Sequence, residues 1–157
     1  MTDLAKKNFL IVYHSQSGRN EQLAYAVYKG AIEADEAISA RLLRAAEAGT
    51  RDVIWADGIL MVFPEYSGSM AGGMKEFLDR CFYPAIDREL HLPYGLLICT
   101  GNDGRNAAQL AARIAKGIPW ISATEPSIFR GPPDATVLAS AEELGAAFAA
   151  GLCMGIF

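Results

Sequence analysis

Cysteine is scarce in this sequence, and it shows no metal-ligand spacing. The three cysteines, Cys81, Cys99 and Cys153, form no C-x-x-C pair, so neither a disulfide framework nor a zinc site is indicated. We therefore expect free thiols that are mostly buried, and no bound metal.

Concentrated charge of one sign is also missing. The formal net charge is -4, with Lys and Arg scattered along the chain, which argues against a nucleic-acid track or an anionic membrane surface as partner. The apolar run at 9–13, which follows Lys6 and Lys7, is too short for the core of a signal peptide. We expect a cytoplasmic protein that binds neither nucleic acid nor membrane.

What is present is an ordinary globular composition, 52% apolar and 20% charged over 157 residues. That is enough to bury the core of one compact domain, 1–157. Short apolar runs alternate with helical patterns, which predicts an α/β fold with helices on both faces of a parallel sheet. Strands are predicted at 9–13, 37–43, 58–63, 94–100 and somewhere within 118–130.

Helical patterns fill the intervals between these strands. The clearest has apolar residues at i, i+3, i+4, i+7 and i+8, beginning at Met74 and ending at Phe82, with charged residues between them. Thr50 is predicted to cap a short helix that ends near 56. Another helix is predicted from about 106 to 116, and Ser140 with Glu143 has the form of a capping box that would open the last helix.

Three polar loops follow the first, third and fourth strands, at 14–20, 64–72 and 100–106. In an open doubly wound sheet a ligand binds outside the carboxyl ends of the strands, where the strand order reverses. The first loop has neither of the two common nucleotide fingerprints. Its Ser15, Ser17 and Asn20 side chains and the following helix N-terminus nevertheless suit a phosphate monoester. An ordinary polar turn that caps a helix is the alternative.

The other two loops are rich in small residues. In the loop at 64–72 they would allow a flat ring to lie against backbone amides, and Tyr66 could stack on that ring or simply be a surface aromatic. The loop at 100–106 could contact the far edge of such a ring, although a plain strand-to-helix turn would look much the same.

Together the three loops resemble those of the flavodoxin-like family, most closely its NAD(P)H-dependent FMN reductase and WrbA-type quinone oxidoreductase branches. The resemblance covers nearly the whole chain. Its most specific part is PEYSGSMAGGMKEFLD at 64–79, which is similar to the reductase loop that cradles the isoalloxazine ring. The resemblance implies a three-layer α/β/α sandwich with a five-stranded parallel sheet in the order 2-1-3-4-5.

The resemblance also implies a set of FMN-binding residues. The phosphate would be held by Ser15, Gln16, Ser17, Gly18, Arg19 and Asn20. The ring would contact Pro64, Glu65, Tyr66, Ser67, Gly68 and Met70, and its far edge would meet Thr100, Gly101, Asn102 and Gly104. Arg19 adds a cation that could strengthen phosphate binding or meet the phosphate of a nicotinamide dinucleotide.

By the same resemblance the flavin carries the chemistry and no side chain is catalytic. It would accept hydride from NAD(P)H and pass electrons to a quinone or similar acceptor. The weak net charge favours this reductase over a flavodoxin-type electron carrier that docks to a partner enzyme. His14 is expected to be a hydrogen-bonded structural residue, and His91 to be exposed.

A remote alternative is a phosphatase, because Cys99 and Arg105 have the C-x5-R spacing that places a thiolate and a guanidinium around one phosphate. Asp103 within that loop would repel a phosphate dianion. The resemblance further allows a homodimer or tetramer, with the apolar segment 152–157 as a contact or as part of the core.

Overall fold

The structure, a computed structural model, describes residues 5–157. Eight strands lie within that range: β1 Lys7–Tyr13, β2 Ile38–Arg44, β3 Gly58–Phe63, β4 Glu65–Tyr66, β5 Ser69–Met70, β6 Pro93–Thr100, β7 Ile121–Ser122 and β8 Ser127–Arg130. The helices are α1 Arg19–Ala34, α2 Thr50–Trp55, α3 Gly72–Asp87, α4 Arg105–Gly117 and α5 Ala135–Met154.

The main sheet is parallel and has the order β2-β1-β3-β6, after which both β7 and β8 pair with β6. The predicted order 2-1-3-4-5 is therefore confirmed, and the fifth strand is divided into two short pieces around residues 123–126. The small strands β4 and β5 form a separate antiparallel pair, where the sequence predicted a loop.

The sheet has a core on each face, which explains the continuous apolar runs at 9–13 in β1 and along β3. Phe9 and Ile11 point toward α1 and α5 and pack with Phe148, whose ring stacks on Phe9 at a centroid distance of 4.8 Å. The alternate residues Leu10 and Val12 pack on the opposite face, in the core that α2, α3 and α4 cover. The result is the predicted three-layer sandwich.

Helices α1 and α5 cross with their backbones in contact. A Cβ atom added at Gly30 would overlap the carbonyl group of Glu142, and one added at Gly145 would overlap that of Val27. These two glycines therefore allow the helices to approach more closely than any side chain would permit.

Two predicted helix starts are wrong. Helix α5 begins at Ala135, because the Asp134 carboxylate accepts a hydrogen bond from the Val137 N–H at 2.9 Å and caps the helix. Ser140 lies inside the helix and donates to the Thr136 carbonyl at 3.1 Å. At α2, Thr50 is the first helical residue and Gly49 takes the cap position. In both places an earlier residue starts the helix before the predicted cap is reached.

Candidate functional site

The carboxyl ends of β1, β3 and β6 lie side by side at one edge of the sheet. Tyr13 is in register with Val62, and Phe63 is in register with Ile98. Because the strands are parallel, the three polar segments that follow them meet at this edge, as the sequence predicted.

The segment after β1 is an open turn at the N-terminus of α1. The Gly18 N–H donates to Ser15 Oγ at 3.0 Å, and Gly18 itself has a φ of 94°. No side chain caps α1, and a Cβ at Gly18 would have no heavy atom within 4 Å. Gln16 and Ser17 are exposed. The first turn of α1 therefore presents backbone N–H groups and a positive dipole to open space, which suits an anion.

Asn20 differs from the other residues predicted to hold phosphate. It is 3% exposed, and its side-chain amide donates to the Cys99 carbonyl and accepts from the Cys99 N–H, both at 3.1 Å. Its side chain thus joins α1 to β6 inside the protein. Asn20 therefore fixes the segment after β1 and has no free side-chain donor to offer there.

The segment after β3 is a tight hairpin, β4 and β5. Its two central residues, Ser67 and Gly68, both have positive φ, 51° and 72°, which is the signature of a type I′ turn. Both are exposed, and a Cβ at Gly68 would meet nothing within 4 Å. The Met70 side chain packs in the core beneath the hairpin, and Pro64 is buried at its start.

The hairpin is tied to the segment after β6. Glu65 Oε2 accepts from the N–H of Ala107, the third residue of α4, at 3.2 Å. The Asn106 amide donates to the Gly68 carbonyl. The Glu65 carboxylate thus stabilises the N-terminus of α4. No sequence pattern indicated a role for Asn106, because its hydrogen-bond partner Gly68 is distant along the chain.

The hairpin also contacts the segment after β1. The Tyr66 ring meets the His14 ring edge-on at 6.0 Å. Burial raises the pKa of the Tyr66 hydroxyl, and a hydrogen bond with the Gln16 backbone lowers it by less. The His14 ring also packs so closely on Gly73 that a Cβ there would overlap it.

His14 is held by packing. Among the described residues no side-chain hydrogen bond involves its imidazole, contrary to the expectation. Burial lowers the His14 pKa, and the nearby Arg44 lowers it further. His14 is therefore neutral at pH 7. His91 is exposed, as predicted.

The segment after β6 is a compact turn. The buried Thr100 hydroxyl accepts from the Asn102 N–H at 3.2 Å. Gly104 precedes α4 with a φ of 72°, and a Cβ there would lie 2.9 Å from an Ile128 methyl. Gly101 and Asn102 are exposed at the rim of the edge.

The phosphatase alternative is wrong. Cys99 lies within β6, is 2% exposed, and donates its S–H to the Gly131 carbonyl at 3.2 Å. Burial raises the pKa of the Cys99 thiol, although the nearby Arg19 opposes this, so it is not a ready thiolate. The Arg105 side chain is exposed and pairs with Asp103 at 3.4 Å.

Arginines gather at this edge although the whole chain is acidic. Arg19 begins α1, Arg44 ends β2, Arg105 begins α4 and Arg130 ends β8. Arg44 pairs with Glu21 at 2.9 Å. Within residues 5–157, neither Arg19 nor Arg130 has a carboxylate at ion-pair distance. The edge therefore offers cations to a phosphorylated ligand.

The profile of the NADPH-dependent FMN reductase family matches residues 21–126, more than half of the chain. This chain belongs to that family. The family is one of flavodoxin-like, FMN-binding oxidoreductases. The structure of this chain has a TM-score of 0.80 to a WrbA-like flavodoxin protein from Agrobacterium tumefaciens. The two sequences are 21% identical, and the match covers 95% of this chain and 99% of the other.

A flavodoxin from the domain Archaea also has a TM-score of 0.80, at 17% identity over 92% of this chain and 98% of its own. At these identities the two likenesses establish the fold. A flavodoxin from Aquifex aeolicus is 34% identical over 70 residues, 45% of this chain and 37% of the relative. The matched segment thus spans little more than a third of that curated protein.

The residues of this chain fit an FMN group at the carboxyl edge. Gly18, Gly68 and Gly101 come from the three different segments, and at each of them a Cβ would find open space. The backbone is therefore accessible at the positions where a phosphate and a flat ring would lie. The cations of Arg19 and Arg130 complement the charge of the phosphate.

Proposed function

We propose that this protein is an FMN-dependent oxidoreductase that accepts hydride from NAD(P)H and passes electrons to a quinone or similar acceptor. The observation that carries the proposal is the joining of three open segments at one sheet edge, through the Tyr66 and His14 rings on one side and Glu65 with Ala107 on the other. A bound FMN would supply the redox chemistry, and the chain's part would be to bind and orient it.

The proposed contacts refine the predicted set. Ser15, Ser17, Arg19 and the first N–H groups of α1 would hold the phosphate, while Gln16 and Gly18 shape the turn. Tyr66, Ser67 and Gly68 of the hairpin would support the ring, and Gly101 and Asn102 would meet its far edge. Pro64, Thr100 and Gly104 are buried, and Asn20, Glu65 and Met70 have side chains engaged elsewhere, so these six would fix the frame.

No side chain in the proposed site is needed as a proton donor or base. The His14 ring contacts Tyr66, and the lowered pKa of His14 keeps it neutral at pH 7. The Tyr66 hydroxyl has a raised pKa and stays protonated. Arg130, which has no carboxylate at ion-pair distance within residues 5–157, supports an anionic dinucleotide as the electron donor.

The second candidate is an electron carrier for a partner enzyme. It is favoured by the near-complete overlap with the archaeal flavodoxin. The net charge of -4 and the arginines at the carboxyl edge weigh against it, because they leave little acidic surface for docking.

The first experiment is the visible absorbance of the purified protein, alone and after addition of FMN. We expect flavin absorbance and saturable binding of FMN in the micromolar range or tighter. A protein that stays colourless and fails to bind FMN would refute the proposal.

The second experiment mixes the FMN-loaded protein with NADPH or NADH in a stopped-flow instrument without oxygen. A reductase should bleach within seconds, and a quinone should then restore the colour. Arg130→Gln should slow bleaching by raising the donor concentration needed, whereas Arg51→Gln, on α2, should not. Flavin that remains oxidised for minutes would favour the carrier.

We also propose a cytoplasmic location and a homo-oligomer. Leu152 is 5% exposed and completes the core, and the Phe157 ring packs on Phe148 at 5.1 Å. Met154 and Ile156 are 70% and 66% exposed, and Phe157 keeps 40% of its surface exposed, so a second copy could cover these three side chains. Light scattering tests the homo-oligomer. Ile156→Lys should lower the measured mass to that of a monomer, and an unmodified protein that is already monomeric would exclude the homo-oligomer.

A further inference from the structure

A cleft of about 430 Å³ lies between the hairpin and the helices α3 and α4. Its lining residues are Ser69 and Met70 of β5, Gly72 and Lys75 of α3, and Leu110, Arg113 and Ile114 of α4. This volume is within the range of clefts that bind small molecules. The cleft lies against β5, whereas the proposed FMN site uses the exposed turn of the same hairpin.

The cleft has an apolar wall with cations beside it. Leu110, Arg113 and Ile114 stand at i, i+3 and i+4, so they share one face of α4. Leu110 and Ile114 are partly buried against the core, and Met70 adds apolar surface from the hairpin. Such a surface favours a flat apolar body, and the cations favour a negative group attached to it.

The charges of the cleft are not balanced internally. Lys75 pairs with Asp79 at 2.8 Å, one turn further along α3. Among the residues that the structure describes, no carboxylate lies at ion-pair distance from Arg113. A protein of net charge -4 thus places an uncompensated guanidinium beside an apolar wall.

We propose that this cleft binds a small amphipathic anion, an apolar ring that carries a carboxylate or phosphate group. The ring would lie on Met70, Leu110 and Ile114, and the anion would meet Arg113 and Lys75. The proposal requires neither FMN nor a nicotinamide donor. Because β5 forms one wall, occupancy of the cleft would couple to the hairpin next to the proposed flavin site.

The test is a titration of the purified ¹⁵N-labelled protein with 2-naphthoate, with and without added FMN, followed by backbone amide NMR. We expect saturable shifts centred on Ser69, Leu110 and Ile114, and weaker binding of the uncharged 2-naphthamide. Shifts centred on a second apolar groove, beside Ala147 and Phe157, or equal binding of the two compounds, would overturn the proposal.

Variants make the test specific. Arg113→Gln should weaken 2-naphthoate binding by roughly three- to tenfold, since it removes a charge-assisted contact at an exposed position, and Lys75→Gln should weaken it less because Asp79 already engages Lys75. Lys116→Gln is the matched control, with the same charge change three residues further along α4. Unchanged affinity in Arg113→Gln would overturn the proposal.

A competition arm identifies the source of the anion. Displacement of 2-naphthoate by NADPH but not by benzoate would assign the cleft to a dinucleotide phosphate. Displacement by benzoate but not by NADPH would assign it to a free aromatic acid. Failure of both to displace the probe would overturn the proposed ligand chemistry. Because the amide shifts do not depend on turnover, this result is distinguishable from failure of the proposed function.

Discussion

At the scale of single residues, the buried amide of Asn20 joins helix α1 to strand β6. Asn20→Ala would leave both the Cys99 N–H and the Cys99 carbonyl without their side-chain partner. Each unsatisfied buried group costs free energy, so we expect the free energy of unfolding to fall by about 2–4 kcal/mol. Chemical denaturation at a fixed FMN concentration measures this change.

Gln109→Ala is the control, because Gln109 is an exposed amide in α4 that is not among the proposed FMN contacts. Its effect on unfolding should be within about 0.5 kcal/mol. If Asn20→Ala were as mild as this control, the two buried hydrogen bonds would not contribute as described.

His14 should make stability depend on pH. Burial lowers its pKa in the folded protein, whereas the unfolded chain binds a proton near pH 6.5. The stabilising contribution of neutral His14 is therefore complete above about pH 6.5 and is lost as the pH falls through the lower folded-state pKa. Denaturation between about pH 7 and pH 5 should show a smaller loss of stability for His14→Gln than for the unmodified protein.

His91→Gln serves as the control, since His91 is exposed, and it should keep the pH dependence of the unmodified protein. The same pH dependence in His14→Gln as in the unmodified protein would contradict the role given to burial.

At the scale of elements, the start of α5 depends on Asp134. Asp134→Ala should lower the free energy of unfolding by about 1 kcal/mol, because the Val137 N–H loses its acceptor. Ser140→Ala should be neutral or slightly stabilising, because Ser140 lies within the helix and Ala has the higher helix propensity. Thermal denaturation of the two variants decides between the caps, and a larger cost for Ser140→Ala would restore the capping box.

The crossing of α1 and α5 should not tolerate a methyl group. Gly30→Ala would force the Glu142 backbone to move, at a cost of about 1–3 kcal/mol that exceeds the gain in helix propensity. Gly72→Ala, in the first turn of α3, is the matched control because its Cβ would meet open space. Urea denaturation should separate the two, and equal effects would argue against the close crossing.

At the scale of the whole molecule, folding and cofactor binding should be linked. FMN at a hundred times its Kd should stabilise the folded protein by about 2.7 kcal/mol if it binds only that state. Riboflavin, which lacks the phosphate, should raise the thermal midpoint less than FMN at equal concentration. Ser17→Ala should reduce the difference between the FMN-induced and riboflavin-induced rises in thermal midpoint, because Ser17 is a proposed phosphate contact. Equal stabilisation by riboflavin and FMN would contradict the proposal that the segment after β1 binds the phosphate.

Local patterns were enough to predict the architecture and the edge at which the site lies. The continuous apolar runs in β1 and β3 reflect strands that are buried on both faces. The spacing from Met74 to Phe82 reflects a helix that is buried on one face. Those signals are contained within single elements. The meeting of the glycine- and hydroxyl-rich segments after β1, β3 and β6 could be predicted as well, because parallel strands bring their carboxyl ends to one edge of the sheet.

The sequence by itself therefore determined the sandwich and the three segments at its carboxyl edge, and its family resemblance implied the order of strands. Tertiary structure alone decided what individual side chains do there. Asn20 and Glu65 have the chemistry of ligand contacts, yet their partners, Cys99 and Ala107, lie 79 and 42 residues away. A hydrogen bond between distant residues leaves no periodic trace in the chain, because its partners are brought together only by the packing of the whole fold.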